Sequence, residues 1–127
     1  MRESPSEAWA RCRPYIEGAL KHCFGGYSVD DVARGVEDGR YAFFPGRACA
    51  IVTEFWEGPQ IKALNLWLMG GDLAELRQIY PTVEGFARQH GCREIAGGGL
   101  HGKRGWERVT RRLGFEPRWT IYSKELP

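Results

Sequence analysis

Residues 70–115 read GGDLAELRQIYPTVEGFARQHGCREIAGGGLHGKRGWERVTRRLGF, and the order of elements in this stretch decides the fold. From Asp72 the apolar residues Leu73, Leu76, Tyr80, Val83, Phe86 and Ala87 recur at helical spacing, with Gly91 past the end. Asp72 can cap this helix, Glu75 stands at its third position, and Pro81 is expected to kink it. A strand over Arg93 to Ala96 follows, then a glycine-rich loop and a last helix over Gly105 to Leu113.

Working outward, Ile61 to Met69 reads as a strand, so Ile61 to Ala96 is a strand-helix-strand crossover, which is right-handed with parallel strands. Ala48 to Trp56 is a longer strand with Cys49, Ile51, Thr53 and Phe55 on one face, joined to Ile61 by the turn Glu57-Gly58-Pro59-Gln60. Tyr41 to Phe44 precedes it across Pro45-Gly46. Two helices come first. Ser4, Pro5 and Glu7 start one that carries Trp9, Cys12, Ile16, Ala19 and Cys23 inward, kinks or restarts at Pro14 and ends at Gly25-Gly26. Ser28 with Asp31 opens the second, which Gly39 stops. Arg118 to Lys124 reads as a closing strand. The class is α/β (α+β): a mixed, mostly antiparallel sheet with a central β-α-β crossover and helices on both faces.

The chain of 127 residues is long enough for one domain, 1–127, and too short for a second. With 43% apolar residues and five Trp, disorder is excluded. A net charge of +2 makes no case for nucleic acid by itself, so that case rests on local clustering. The four cysteines form no CxxC pair and the first residues form no leader, which points to a reduced, cytoplasmic protein. No apolar run approaches the ~20 residues that span a bilayer, so no membrane is expected.

The loop Gly97-Gly98-Gly99-Leu100-His101-Gly102-Lys103-Arg104 contains GxGxxG and nearly completes GxxxxGK[ST]. Arg104 stands where a Ser or Thr must ligate magnesium, and no following strand supplies an acidic residue for a ribose, so neither phosphate motif is complete. The last helix has a basic stripe of Arg104, Arg108, Arg111 and Arg112 within about 100°. Trp106, Val109 and Leu113 lie opposite. With Lys103 the stripe forms a candidate surface for a protein partner or for phosphate groups, or else a solvated face. Neither His22 with Cys23 nor His90 with Cys92 has zinc-ligand spacing, so no metal is assigned. Glu54 interrupts the apolar strand AIVTEFW, where burial would suit it to general-base work; an outward-facing position is the alternative.

The segments RQHGCREI and RRLGFEP, with the element order above, resemble the GCN5-related N-acetyltransferase (GNAT) fold. More closely, AIVTEF, LMGGDLAEL, VEGFARQHGC, GKRGW and YSKEL resemble small phage and prophage-encoded proteins of uncharacterised function with that fold. In the GNAT family a [QR]xxGx[GA] loop at the start of the central helix seats the pyrophosphate of acetyl-CoA. Here that place reads GDLAEL, and Asp72 and Glu75 would repel an anion. A family tyrosine that protonates the leaving thiolate is replaced by Thr110, with Tyr122 as a substitute from elsewhere.

Two functions follow from that resemblance. One is a non-enzymatic, virion-assembly or host-interaction protein that binds a protein partner through Lys103, Arg104, Arg108, Arg111 and Arg112, located in the bacterial cytoplasm or the virion. The other is an atypical acetyltransferase acting on a small-molecule acyl acceptor. It would hold acetyl-CoA by Met69, Gly70, Gly71, Gly102, Lys103 and Arg104, with Glu54 as base and Tyr122 as acid. A weaker third gives the basic stripe to nucleic acid, with affinity falling steeply in salt.

Overall fold

A computed structural model describes residues 2–23, 25–98 and 104–127 of the chain. Its elements are α1 (Pro5–Leu20), α2 (Val29–Glu37), β1 (Tyr41–Pro45), β2 (Cys49–Glu57), β3 (Lys62–Gly71), α3 (Leu73–Gln89), β4 (Glu94–Gly97) and α4 (Arg104–Arg112). The strands lie in the order β1-β2-β3-β4, antiparallel except for the parallel β3–β4 pair, as the crossover requires. Among the described residues no helix is long and apolar enough to cross a membrane.

Local chemistry sets the helix starts. Ser4 and Ser28 each close a capping box, with Glu7 and Asp31 respectively, which satisfies amides that the first turn leaves orphaned. Gly39 turns the chain out of α2 at a φ of 84°, a conformation that costs side-chain-bearing residues energy. Neither proline interrupts its helix. Pro14 and Pro81 both sit on exposed faces, so the carbonyls they leave unpaired, those of the exposed residues Ala10 and Arg77, are open to water.

Each face of the sheet buries its own core. Cys12, Ile16 and Val32 from α1 and α2 cover Ala50, Val52 and Leu68, while Leu76, Tyr80, Val83 and Ala87 from α3 cover Cys49, Ile51, Leu64 and Leu66. Burial of each larger aliphatic contributes roughly 1.5–3 kcal/mol. Val109 of α4 is buried, and Trp106 and Leu113 pack on the α3 core, so the apolar stripe of α4 faces inward.

The β1–β2 turn is gripped from both faces. Arg11 of α1 donates to the carbonyls of Gly46 and Arg47 at 2.6 and 2.8 Å, with its guanidinium steadied by Glu3. From α3, the Glu75 carboxylate accepts from the Ala48 amide at 3.0 and 3.2 Å and from the Cys49 thiol at 3.4 Å. Glu75 was expected to charge the start of α3; it is spent instead on joining that start to the hairpin.

The closing strand expected over Arg118 to Lys124 does not form. Residues 115–127 are in neither helix nor strand, and among the described residues β4 pairs with β3 alone. Alternation in WTIY satisfies a strand pattern, but a strand needs a neighbouring ladder to satisfy its amides and carbonyls, and none meets it.

Candidate functional site

The site begins with an irregularity in β3. Val52 pairs with Leu68 and Thr53 with Leu66, so Trp67 has no partner in the β2 register. The last β4 partner is Gly97, opposite Leu66, which leaves Trp67 outside that ladder too. The extra residue is a β-bulge, and it breaks the alternation of the strand. Trp67 and Leu68 both pack on the α1/α2 core, whereas Leu66 and Met69 belong to the α3 core.

Two features meet at that residue. Beyond Leu66, β3 continues through Trp67, Leu68, Met69, Gly70 and Gly71 with β2 on one side and nothing from β4 on the other. Among the described residues no second strand pairs with this half of β3, so its outer edge offers backbone donors and acceptors. A Cβ added at Gly105 would lie 3.5 Å from Leu73 Cδ1, so the N-termini of α3 and α4 stand side by side.

The second feature is an aromatic cluster on the α1/α2 face. Trp67 meets Tyr41 at 4.8 Å and Tyr27 at 4.9 Å between ring centroids, and Arg40 lies over the Tyr41 ring at 5.4 Å. Tyr41 pairs with Glu54 across β1–β2, and Glu54 pairs with Asn65 across β2–β3. Glu54 Oε1 accepts from Asn65 Nδ2 at 3.0 Å and from Trp56 Nε1 at 3.2 Å. Its Oε2 accepts no hydrogen bond among the described residues. Asn65 is buried, Glu54 half-buried and Trp56 half-exposed, so one carboxylate oxygen is anchored and the other is free for a ligand. Burial, then the neighbouring Tyr27, raises the Tyr41 phenol above its ordinary range.

The face of Glu54 is thereby settled. It follows Ala50 and Val52, which lie under α1 and α2, and emerges where that cover ends. Nothing in the spacing singled out Asn65, Tyr27, Tyr41 or Trp67. One signal was present: Asn65 interrupts the apolar run ALNLWLM as Glu54 interrupts AIVTEFW, and the strands holding them pair.

The remaining expected residues are placed as follows. Met69 and Gly70 lie partly exposed on the free half of β3 and Gly71 at its end. Both glycines have a packing reason: a Cβ at Gly70 would collide with the Tyr15 carbonyl of α1, and one at Gly71 with the Ala48 carbonyl. Asp72 caps α3 by accepting from the Glu75 amide at 2.9 Å. The amides of Leu73 and Ala74 keep no partner among the described residues, so this helix start is half closed to an anion. Arg108, Arg111 and Arg112 are exposed on α4, and Thr110 Oγ1 bonds back to the Glu107 carbonyl at 3.0 Å. Tyr122 stands 90% exposed in the tail, outside any strand. Gly102, Lys103 and the side chain of Arg104 lie outside the described residues.

No cysteine is poised as a nucleophile. Burial raises the thiols of Cys12, Cys23 and Cys92, and burial with the Glu75 carboxylate pushes Cys49 up to about 12. Among the described residues no three His, Cys, Asp or Glu side chains converge as metal ligands.

No family model and no curated protein matches the chain in sequence. Among its solved structural neighbours are acetyltransferases of the GNAT fold, and the chain has that α+β fold. An aminoglycoside acetyltransferase, meta-AAC0020, from an uncultured soil metagenomic sample superposes with a TM-score of 0.72 at 8% identity, over 100% of this chain and 95% of that one. Aminoglycoside N-acetyltransferase AAC(6')-Iy, solved with CoA, gives a TM-score of 0.65 at 17% identity, over 99% of this chain and 92% of that one. TTHA1254 from Thermus thermophilus gives 0.68 at 14% identity, over 98% and 95%. These likenesses carry the fold alone. None of them supports a phage or prophage origin.

Proposed function

We propose that this chain is an acyl-CoA-dependent N-acyltransferase whose acceptor amine binds at Glu54 and whose acyl donor lies along the free edge of β3. The observation that carries this is the coincidence at the Trp67 bulge: the inserted residue stands where the described β3–β4 pairing ends and two residues from the Glu54–Asn65 pair. The aminoglycoside acetyltransferases with the same fold, one of them holding CoA, support the reading.

Each residue then has a chemical task. Asn65 and Trp56 hold Glu54 through Oε1, so Oε2 can accept a proton from the acceptor ammonium and leave the amine nucleophilic. Tyr27 and Trp67 supply aromatic surface that favours a cationic acceptor, the Tyr41 ring being covered by Arg40. A backbone amide that the bulge leaves unpaired is a donor for the thioester oxygen as charge develops on it. The amine nitrogen bonds to the carbonyl carbon, the carbon–sulfur bond breaks, and the thiolate leaves to take a proton. The extended amide chain of a pantetheine arm matches the unpaired edge at Met69 to Gly71, as an added strand would.

The phosphate end fits less well at α3, where Asp72 occupies the cap. We assign it to the adjacent start of α4, with Lys103, Arg104 and the loop around Gly102 as its ligands. Calorimetric titration with acetyl-CoA and CoA tests this assignment. Micromolar binding that Lys103→Ala and Arg104→Ala weaken, and that Glu54→Gln leaves intact, is expected; absence of binding at millimolar ligand would sink it.

The capped α3 start favours one second reading, a non-enzymatic protein that uses the exposed Arg108, Arg111 and Arg112 face to bind an acidic protein partner. That reading expects no CoA binding and retention of partner binding in Glu54→Gln. A nucleic acid on the same arginines would show affinity falling steeply with salt.

A further inference from the structure

We propose that the amine received at Glu54 carries one positive charge and an aromatic ring, the ring lying against the exposed indole of Trp56. The acceptor's role rests on the acyltransferase reading; what is added is the kind of amine that this face of the sheet selects.

Paired strand residues project to the same side of a sheet, so the register shows what surrounds Glu54. Trp56 stands opposite Ala63 and Glu54 opposite Asn65, and across β3 those two residues stand opposite Glu94 and Ala96 of β4. Trp67 lies two residues beyond Asn65, with Tyr27 4.9 Å away between ring centroids. Trp56 and Tyr27 are 51% and 50% exposed, so aromatic surface flanks the carboxylate on two sides. From Ala63 to Trp67 the strand sets these surfaces about 13 Å apart. Trp56 is also fixed in place: its Nε1 donates to Glu54 Oε1 at 3.2 Å, which holds the edge of the indole at the carboxylate while half of the residue stays in solvent.

Partners for an ammonium lie close together here. Asn65 Nδ2 donates to Glu54 Oε1 at 3.0 Å, and neither Glu54 Oε2 nor Asn65 Oδ1 accepts a hydrogen bond among the described residues. Asn65 is only 5% exposed, and an amide oxygen left unpaired at such a place costs energy until a ligand or water meets it. One charged oxygen and one neutral oxygen suit one primary ammonium. A second cation finds less. Glu94, the other carboxylate that the register brings to this side, is paired with Arg118 at 3.7 Å, and the Arg40 guanidinium already lies over the Tyr41 ring. A polyamine or an aminoglycoside would bring further ammonium groups to a face with one free carboxylate oxygen, and each would give up water without a matching partner. A ring two carbons from the amine gains the Trp56 surface instead.

Steady-state kinetics with acetyl-CoA and three amines, and calorimetric titration of the same amines into the chain alone, test this. 2-Phenylethylamine should show a KM at least ~10-fold below that of propylamine and a kcat/KM at least ~10-fold above that of spermidine. Trp56→Ala should bring the KM ratio of 2-phenylethylamine and propylamine below ~3-fold, and Trp56→Phe, which restores a ring but not the bond to Glu54, should recover that ratio with kcat still lowered. Spermidine acylated as well as 2-phenylethylamine, or a KM ratio unchanged in Trp56→Ala, overturns the proposal and leaves the chain an acyltransferase. If no amine is acylated, the acyltransferase reading falls and the titration decides the amine site alone. Tighter binding of 2-phenylethylamine than of propylamine and spermidine, lost in Trp56→Ala, then sustains the site, and any other order overturns it.

Discussion

The two halves of β3 differ more than any two helices of the molecule. From Ala63 to Leu66 the strand is bonded on both sides, to β2 and to β4, and its side chains are buried. From Trp67 to Gly71 it is bonded on one side among the described residues, its alternation has slipped by a residue, and Trp67, Met69 and Gly70 reach the surface. The first half holds the fold together. The second gives up a ladder, and so gains a polar edge and a wall for an aromatic cluster. On the proposed reading, a binding surface at this place is made by withholding a neighbour from a strand.

The largest expected effect breaks the chemistry of the second half and leaves the first untouched. Glu54→Gln keeps the side chain's volume and its contact with Asn65 but removes the base, and should lower the acyl-transfer rate by about 100-fold to 10,000-fold with acyl-CoA affinity unchanged. Steady-state kinetics with a panel of primary amines checks this, and an unaltered rate would remove Glu54 from the mechanism.

The next sharpens the contrast through packing. Leu64→Ala in the doubly bonded half should cost about 2–5 kcal/mol, and Met69→Ala in the open half less than about 2 kcal/mol, because a site already near solvent leaves a smaller cavity. Urea unfolding of both variants measures the gap. Equal losses would mean that the open half is packed as tightly as the closed one.

A smaller effect tests how the open half is anchored, through pH. The Ala48 amide holds the Glu75 carboxyl below its ordinary value, so Glu75 stabilises the folded chain above the usual Glu range near 4.3 and ceases to as pH falls through its lowered folded value. Glu75→Gln should therefore be less stable than the parent at pH 7, and the difference should close below about pH 4. Denaturant midpoints at pH 7 and pH 3 decide it; a difference independent of pH would show that shape, not charge, makes this latch.

The smallest concerns Thr53, fully buried opposite Leu66, whose hydroxyl has no hydrogen-bond partner among the described residues. Thr53→Val removes a polar atom that gains nothing from burial, and should stabilise the chain by about 1 kcal/mol. Thermal unfolding would register it, and a destabilised variant would mean that the hydroxyl is satisfied after all.

Much of this was legible in the sequence, and the limit has a physical form. The capping boxes at Ser4 and Ser28, the hairpins, the crossover and the inward faces of α3 and α4 depend on spacings within a few residues, so local chemistry and periodicity fix them. Glu54 stood out for the same reason, as a charge within an apolar run. The bulge at Trp67 did not: KALNLWLMGG alternates no worse than other strands, and a bulge appears only when a second strand fails to match it residue for residue. Nor did the destination of Glu75, because whether a carboxylate caps its own helix or grips a turn 27 residues away depends on what the fold brings alongside. The tail shows the converse. Its alternation reads as a strand, yet a strand exists only with a partner to take its hydrogen bonds.

The sequence by itself therefore determined the elements, their order and the sides they bury, since each rests on contacts within one turn or one pleat. Tertiary structure alone decided that Glu54 meets Asn65 beside Trp67, and that the described β3–β4 pairing ends there. Those outcomes depend on the register between strands distant in the chain, and register is set by how whole faces pack against each other.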